Sequence, residues 1–353
     1  MIYKRLYINQ FILLFFAISF IQVLTFSCNN SQKNEKVLKN EAVIYTSLDQ
    51  VFSEPILKKF ERLTGIHVKA VYDTEATKTT GLVNRLIAEK DNPKADVFWN
   101  SEICRTIILK RKDILVPYFS PSAKGIPNTF KDPEGYWTGF AARARVLIYN
   151  KNLISKEEMP KSIFHFNNPK WNEKFCMAYP LFGTTATHIA ALFSHIGDDQ
   201  ANDFLKSIKE NNVQIVDGNS TARDRVVSGV YPVGFTDTDD VNVAILSGAP
   251  VDMIFPDQGQ NEMGTLLIPN TVALIKGGPN PENSKKFIDF VLSKETELML
   301  SEMQSAQIPL HSGLPRPPSL PSIDSIKFMN VDYEKVADKL DTAMPICRTI
   351  FIR

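Results

Sequence analysis

Three aspartates stand close together in the segment GFTDTDDVNVAI, residues 234–245. Asp237, Asp239 and Asp240 follow the apolar run VYPV, which is typical of a strand. Carboxylates this close repel one another, and each raises its neighbour's pKa unless a cation or a set of N–H donors faces them. The segment therefore predicts a site at which positive charge or hydrogen-bond donors meet the acids.

Two interpretations of these acids stay open and are compatible with each other. In the first, Thr236 or Asp237 caps a helix over DDVNVAILS, and the next two acids stabilise its positive dipole end. In the second, the acids and Thr238 contact a ligand beyond the end of the strand. A calcium loop is excluded, because Val241 and Asn242 stand where an oxygen ligand and a glycine are needed.

An enzymatic alternative is weaker. Asp237, Thr238 and Asp239 match the D-x-D arrangement with which sugar-nucleotide transferases hold a divalent ion. The sequence has no P-loop, no G-x-S-x-G motif and no evident general base with a partner. We therefore predict a binding protein that has no catalytic activity and no cofactor.

The elements that position these residues alternate between strand and helix from residue 42 onward. AVIYTS, IHVKAVYD and ADVFWN read as strands, and VFSEPILKKFERLT, KTTGLVNRLIAEK and EICRTIILKR as helices. This alternation predicts a parallel sheet covered on both faces. Ligands of such sheets lie beyond the carboxyl ends of the strands, where Ser47, Asp73, Asn100 and Ser101 begin the loops.

A second unit begins at GFAARARVLIYN. Further strands are predicted at KFCMAYP, VQIVDG, VYPVGF and GTLLIPNTVALIK. Helices are predicted at TTATHIAALFSHI and DDQANDFLKSIKE, as one helix over residues 281–303, and as a short one near DYEKVADKLDTA. The size of the chain, 353 residues with 44% hydrophobic and 22% charged, suits two domains.

The N-terminus has the pattern of an export signal over residues 1–27. Lys4 and Arg5 precede an apolar run that ends at Ser27 and Cys28. A small residue before a cysteine resembles the lipobox of bacterial lipoproteins, which predicts lipidation of Cys28 and a polar tether over residues 28–41. A transmembrane anchor is the alternative.

Charge and cysteine content exclude other classes. Residues 1–27 hold two basic and no acidic residues, so their removal changes the net charge from +1 to −1. Without a basic surplus, nucleic acid is not an expected partner. Cys104, Cys176 and Cys347 show no metal-ligand spacing, and we expect buried thiols, although a disulfide between two of them stays open.

Several motifs, in their order and spacing, resemble a known family. They are VIYTSLDQVFSEPILKKFERLTGI, ADVFWN, ARARVLIYN, NNPKW, GTTATH, GNSTARDRVVSG, LLIPNTVALIKGGPNPENSKKFIDFVLS and QIPLHSG. They are similar to the two-lobed solute-binding proteins of bacterial ABC importers, in the ferric-iron-binding branch.

The resemblance implies an α/β periplasmic-binding-protein fold of type II, with a ligand cleft between two lobes and a hinge of two crossover strands near residues 141–146 and 266–272. Lobe 1 would comprise residues 42–140 and 266–300, and lobe 2 residues 141–265. Residues 301–353 would form a tail that packs on the lobes.

The resemblance also implies a metal position. Where iron-binding members have a histidine, a glutamate and a tyrosine pair, this chain has Asp49, Ser101 followed by Glu102, and the pair Asp239 and Asp240. Every ligand type has changed, yet carboxylates remain hard oxygen donors. Asp49, Asp239 and Asp240 are therefore the candidate metal ligands.

An anion position is implied beside it. Thr184 and Thr185 begin a helix, Asn219 and Ser220 follow a strand, and Asp237 replaces an asparagine of the family. A helix N-terminus offers N–H groups to an anion, although a threonine N-cap is the simpler alternative. Arg143 and Arg145 alternate on a strand near the hinge, so one should face the cleft and the other solvent or an acid; Arg143 is our candidate anion contact.

These observations predict a monomeric lipoprotein, anchored on the periplasmic or cell-surface side of a membrane, that delivers a small ligand to the subunits of an ABC permease. By resemblance the ligand is ferric iron with a bridging anion. The alternative ligand is an organic anion or zwitterion, such as an aminophosphonate or a phosphate ester. A sensory lipoprotein with the same fold is a further alternative.

Overall fold

The computed structural model describes residues 40–73, 78–317, 319–320 and 325–352. The predicted signal, most of the tether and Cys28 lie outside the described residues. Among the helices of the described part, none is long and apolar enough to cross a bilayer.

Eight of the ten strands in the described part follow the predicted apolar runs. The ten strands are β1 (Glu41–Thr46), β2 (His67–Tyr72), β3 (Val97–Asn100), β4 (Leu115–Val116), β5 (Thr138–Asn150), β6 (Phe175–Ala178), β7 (Gln214–Val216), β8 (Val233–Asp237), β9 (Val251–Ile254) and β10 (Leu267–Ile275). The two short strands β4 and β9 were not predicted.

The α-helices lie between and after these strands. They are α1 (Gln50–Thr64), α2 (Thr80–Ala88), α3 (Cys104–Arg111), α4 (Gly183–Ile196), α5 (Asp198–Glu210), α6 (Asn219–Val227), α7 (Thr238–Leu246), α8 (Pro281–Val291), α9 (Lys294–Glu302) and α10 (Tyr333–Phe351).

The first βαβ units form as the sequence predicts. Strand β1 lies between β2 and β3, and both pairings are parallel. Helix α1 ends at Gly65, which has a left-handed φ of 69° and donates its N–H to the carbonyl of Glu61. Glycine adopts this conformation at little cost, so the predicted stop of the helix has a backbone reason.

Strands β5 and β10 join the two halves of the sheet, whose order is β2-β1-β3-β10-β5-β8-β6-β7. All thirteen residues of β5 are buried. Its first half pairs with β10 up to Ala144, and from Arg145 onward it pairs with β8, in both cases antiparallel. A strand that changes partners in this way belongs to both halves, as expected of a crossover strand.

The second half of the sheet repeats the parallel arrangement. Strand β6 lies between β7 and β8, and both pairings are parallel. The carboxyl ends of β6 and β8 therefore point the same way, toward the N-termini of α4 and α7. This geometry places Thr184, Thr185 and the three aspartates at one edge of the sheet.

Three sequence predictions need correction. The helix predicted over residues 281–303 is two helices, because the hydroxyl of Ser293 accepts the N–H of Thr296 and caps a new start. The last helix is longer than predicted and extends to Phe351. Asp237 precedes α7 but its side chain does not cap it, since its carboxylate bonds elsewhere.

The core has two layers of apolar side chains, one on each face of the sheet. Helix α10 packs against α3, α4 and α5, and so contacts elements that follow β3 as well as β6. Cys104, Cys176 and Cys347 are buried and unpaired, as expected. Burial raises the pKa of the Cys176 and Cys347 thiols to about 12, so they carry no charge at neutral pH.

Candidate ligand-binding site

A cavity of about 30 Å³ lies where the ends of β1, β3 and β8 meet the start of α4. This volume holds about two water molecules. The cavity is lined by Asp49, Lys78, Ser101, Arg143, Ala178, Tyr179, Phe182, Gly183, Thr184, Thr185, Asp217, Gly218, Asn219, Asp237, Asp239 and Asp240. Nine of these were predicted as ligand contacts from the sequence, and the structure brings them around one space.

Arg145 lies behind one wall of this cavity and donates hydrogen bonds to the side chains that form it. Its guanidinium is 0% exposed and donates through Nη1 to Asp237 Oδ1 at 2.7 Å and to Thr184 Oγ1 at 3.1 Å. The same nitrogen lies 3.2 Å from Asn219 Oδ1, and Nη2 donates to Thr185 Oγ1 at 3.1 Å. One buried cation thus fixes four side chains that come from three elements, α4, α6 and β8.

Asp237 is held as a carboxylate within this network. Its Oδ2 accepts from Thr184 Oγ1 at 2.7 Å and from Asn219 Nδ2 at 2.9 Å. Burial raises the pKa of Asp237, but the guanidinium groups of Arg145 and Arg143 outweigh burial and hold the pKa below its usual value. Because these groups already compensate the charge of the Asp237 carboxylate, a metal ion would gain little by binding to it.

Arg143 lines the cavity from β5, two residues before Arg145. It is 3% exposed, and one amino group donates to the carbonyl of Ser101. Its Nη1 lies 3.7 Å from Asp239 Oδ2. Arg143 lines the cavity whereas Arg145 lies behind its wall, and each lies beside an aspartate, so the alternation of side chains along a strand does not account for the difference.

Asp239 and Asp240 form the acidic side. Burial, together with the charges of Asp237 and Asp49, raises the pKa of Asp239 to about 6 against the opposing effect of Arg143. Burial and the two neighbouring acids raise the pKa of Asp240 well above its usual value.

Asp240 is held by two partners. Its carboxylate accepts from Thr236 Oγ1 at 2.7 Å and lies 3.7 Å from Arg223 Nη1. The groups that face the three crowded acids are therefore three arginines, at positions 143, 145 and 223.

Asp49 and Lys78 close the cavity from the other half of the sheet. The ammonium of Lys78 contacts the carboxylate of Asp49, and the Lys78 carbonyl accepts the N–H of Gly183 at 3.2 Å. The sequence analysis did not name Lys78, although it placed the loop after β2 at the cleft. A loop has no sequence periodicity, so the direction of a lysine side chain within it cannot be predicted.

Four predicted contacts do not line the cavity: Ser47, Asn100, Ser220 and Thr238. The Ser47 hydroxyl donates to Asn100 Oδ1 at 2.7 Å and accepts the N–H of Ser101 at 2.8 Å. The Thr238 hydroxyl accepts the N–H of Ala144 at 3.2 Å. These two hydroxyls lie behind the wall and support the loops that form it.

Glu102 likewise turns away from the cavity. Its carboxylate accepts the backbone N–H groups of Cys104 at 2.7 Å and Arg105 at 2.9 Å, and the hydroxyl of Thr187 at 2.8 Å. The carboxylate next to the position of the family's glutamate ligand therefore caps α3 and contacts α4 instead of facing a metal.

Tyr179 is a further wall residue that the sequence analysis missed. Its ring stacks on Phe182 with centroids 5.7 Å apart. It follows β6, whereas the tyrosine pair of the iron-binding branch aligns with Asp239 and Asp240. Among the lining residues it is the single phenol.

Comparison with known proteins assigns the family. Residues 92–338, about 70% of the chain, match the profile of the bacterial extracellular solute-binding proteins. This chain belongs to that family. The resemblance found in the sequence motifs is therefore confirmed, and family members are substrate-binding transport proteins, not enzymes.

The names of the relatives refer to more than one kind of ligand. Iron uptake protein A1 of Synechocystis is 25% identical over 320 residues, which cover 87% of this chain and 86% of the relative. A putative 2-aminoethylphosphonate-binding periplasmic protein of Salmonella typhimurium is 28% identical over 249 residues, 69% of this chain and 70% of the relative.

The fold has solved counterparts. The iron-bound HitA structure from Pseudomonas aeruginosa superposes with a TM-score of 0.81 at 23% identity, over 88% of this chain and 99% of HitA. The predicted α/β, two-lobed type II fold is confirmed by this likeness.

Proposed function

We propose that this chain captures a small solute outside the cytoplasm and delivers it to an ABC permease. Family membership supports the transport role. The observation that carries the proposal is the cavity itself, because carboxylates, cations and hydroxyls converge on it from both halves of the sheet. A site built from both halves suits a ligand that is enclosed when the halves close on it.

The geometry favours an organic anion or zwitterion as the ligand. Arg143 and Lys78 bring two cations to the cavity wall, and Thr184 and Thr185 begin the helix α4 beside them. Such a wall suits the oxygens of a phosphonate or a phosphate ester. The opposite side, with Asp239, suits an ammonium or hydroxyl group of the same molecule.

Ferric iron with a bridging anion is the second candidate. The ligand atoms of Asp237, Asp239 and Asp240 all lie within 4.8 Å of one another, and several relatives are named for iron. Carboxylate oxygens suit a hard ion. Asp237 is already compensated by Arg145 and Asp49 by Lys78, however, so a metal would have to displace or neutralise these cations.

Thermal unfolding with a panel of probes tests both candidates. The panel contains 2-aminoethylphosphonate, glycerol 3-phosphate, ferric citrate and citrate alone, with isothermal titration calorimetry on each probe that raises the melting temperature. A ligand at a hundred times its Kd stabilises the folded state by about 2.7 kcal/mol, which a melting curve detects. We expect a shift with the phosphorus compounds and none with citrate.

Two other results have distinct meanings. A shift with ferric citrate but with none of the organic probes would replace the organic ligand by the metal. If no probe shifts the transition, both ligand classes are wrong.

The lobe boundaries given in the sequence analysis are part of the proposal. Lobe 1 is residues 42–140 and 266–300, and lobe 2 is residues 141–265. The change of partner in β5, from β10 at Ala144 to β8 at Arg145, supports a boundary near residues 141–146.

Lipid anchoring through Cys28 is also proposed, on the basis of the TFSC motif. Cells that express the chain should incorporate a labelled fatty-acid analogue into the wild type and none into Cys28→Ala. Equal labelling of both would remove the lipoprotein assignment and leave the ligand site untouched.

A further inference from the structure

We propose that Lys78 is the ligand contact that selects a doubly charged oxyanion, and that Asp49 positions it. The inference rests on the proposed function, since it names the chemical class of solute that the same cavity takes. Lys78 lies in lobe 1, whereas Thr184, Thr185 and Asn219 lie in lobe 2.

The position of Lys78 supports this role. Its side chain is 21% exposed and lines the cavity, and its carbonyl accepts the N–H of Gly183, the first residue of α4, at 3.2 Å. The backbone contact brings the residue to the positive end of the helix. An anion at that end would therefore meet the lysine ammonium as well as the helix N-terminus.

The backbone conformation of the residue next to Lys78 is strained. Thr79 is fully buried and has φ 68° and ψ −38°, in a region that β-branched residues rarely adopt. Such a conformation persists where the surroundings hold it, and it is common at ligand sites.

Asp49 is the positioning residue. Its carboxylate contacts the Lys78 ammonium, and its side chain is 38% exposed. In the iron-binding branch the matching position provides a metal ligand, but here a lysine covers the acid. The ion pair with Asp49 thus holds the Lys78 ammonium at the cavity wall.

Two cations and five aspartates line the cavity. Arg143 approaches from β5 and Lys78 from the loop before α2, so two cations that belong to different elements line one space. A phosphonate or phosphate can carry two negative charges at neutral pH and meet both cations. Both cations already pair with acids, Lys78 with Asp49 and Arg143 with Asp239, so an anion has to compete with these carboxylates. A doubly charged anion competes better than a sulfonate of the same tetrahedral shape, which carries one charge.

The test compares two isosteric probes by calorimetry, 2-aminoethylphosphonate and its sulfonate counterpart, taurine. The wild type should bind the phosphonate more tightly. Lys78→Met should weaken phosphonate binding about tenfold and change taurine binding less, because the lost ion pair is partly exposed. Lys78→Arg should restore most of the preference.

The control is Lys276→Met, which removes a lysine that pairs with Asp113 at 2.7 Å, far from the cavity. It should bind both probes as the wild type does. Melting curves without ligand establish that each variant is folded.

The other outcomes separate the two proposals. Phosphonate binding within twofold of wild type in Lys78→Met would overturn the role of Lys78 and leave the proposed function standing. Tighter binding of ferric citrate by Lys78→Met would also overturn it, because Lys78 would then be competing with a metal at Asp49. If the wild type binds none of 2-aminoethylphosphonate, glycerol 3-phosphate and ferric citrate, the proposed function fails and this inference with it.

Discussion

Arg145 shows how one side chain can hold a binding site together without facing the ligand. Its guanidinium lies under Thr184, Thr185, Asn219 and Asp237, and it stacks 4.3 Å from the centre of the Phe235 ring. The pair with Asp237 removes two charges from water, which is costly for each ion alone. Hydrogen bonds from the hydroxyls and the amide offset that cost, so the pair depends on both partners being present.

Removing one partner should therefore destabilise the fold strongly. Arg145→Met leaves the Asp237 carboxylate buried without its cation, and we expect the free energy of unfolding to fall by about 3–5 kcal/mol. Urea unfolding followed by circular dichroism measures the change. Lys285→Met, which breaks an exposed pair with Glu282, should cost less than about 1 kcal/mol. Equal losses of unfolding free energy in the two variants would show that the buried ion pair contributes no more than an exposed one.

Asp257 gives a pH-dependent prediction outside the cavity. Burial raises its pKa to about 6, and its Oδ2 has no hydrogen-bond partner among the described residues. The folded state thus binds the proton more tightly than the unfolded chain, in which an aspartate titrates near 4. Stability from this group is present below about pH 4 and is lost as the pH rises through about 6.

Asp257→Asn should remove that dependence. Asparagine tolerates the left-handed φ of 61° at this position and carries no charge. We expect the variant to be more stable than the wild type at pH 8 by on the order of 2 kcal/mol, with the difference shrinking toward pH 4. Asp203→Asn, at a side chain that is 77% exposed, is the control and should show no such trend. A constant difference between pH 4 and pH 8 would contradict the account.

At the scale of elements, much of the fold follows from sequence periodicity. The strands β1, β2, β3 and β10 coincide with apolar runs, and α5 covers the predicted DDQANDFLKSIKE. Partner exchange along β5 could not be read in this way, because all of its residues are buried and neither half has a polar face to mark its side. The split at Ser293 was missed because the apolar spacing continues across the cap.

The candidate site was predictable where a residue directly follows a strand. Asp237, Asp239 and Ser101 stand at strand ends, so the topology alone brings them together. Lys78 and Tyr179 lie in loops whose direction depends on tertiary contacts. The choice between Arg143 and Arg145 needed the register of β5 against β8, which pairs Arg145 with Asp237.

Gly264, ahead of β10, tests how tightly the crossover strand is fixed to the C-terminal segment. Its φ is +86°, and an added Cβ would lie 2.7 Å from the Phe328 carbonyl carbon and 2.8 Å from the Lys327 carbonyl oxygen. Backbone atoms cannot move aside cheaply, so Gly264→Ala should lower the free energy of unfolding by about 2 kcal/mol or more. Gly65→Ala, where no atom lies within 4 Å, should cost about 1 kcal/mol from its φ alone. Urea unfolding of both variants measures the two losses. Equal losses would show that the close approach of backbone atoms at Gly264 adds nothing to the cost of a positive φ.

At the scale of the whole molecule, the two lobes are in contact across the cavity. Besides the Gly183–Lys78 bond, Thr187 donates to Glu102 at 2.8 Å and Arg105 donates to the carbonyl of Leu181 at 3.2 Å. With a cavity of only about 30 Å³ between them, an organic ligand has to enter by parting these contacts. We therefore expect the lobes to move apart when a ligand enters or leaves.

Closure should be visible in solution. Without ligand, we expect the lobes to part about β5 and β10 and the radius of gyration to rise; a saturating ligand should lower it. Small-angle X-ray scattering of the chelator-treated protein, with and without the probe that raises the melting temperature, makes the comparison. Superimposable scattering curves would mean that the lobes do not move on binding.

A small solute held in the cavity adds its mass to that of the protein, and native mass spectrometry of freshly purified protein detects this addition. We expect an additional mass on the wild type that corresponds to one organic molecule with an oxyanion group. We expect this mass to be lost in Arg143→Met, whose melting temperature without ligand is measured alongside. A wild-type mass equal to that of the polypeptide, even after incubation with the probe panel, would contradict this expectation. So would a bound mass that Arg143→Met retains in full.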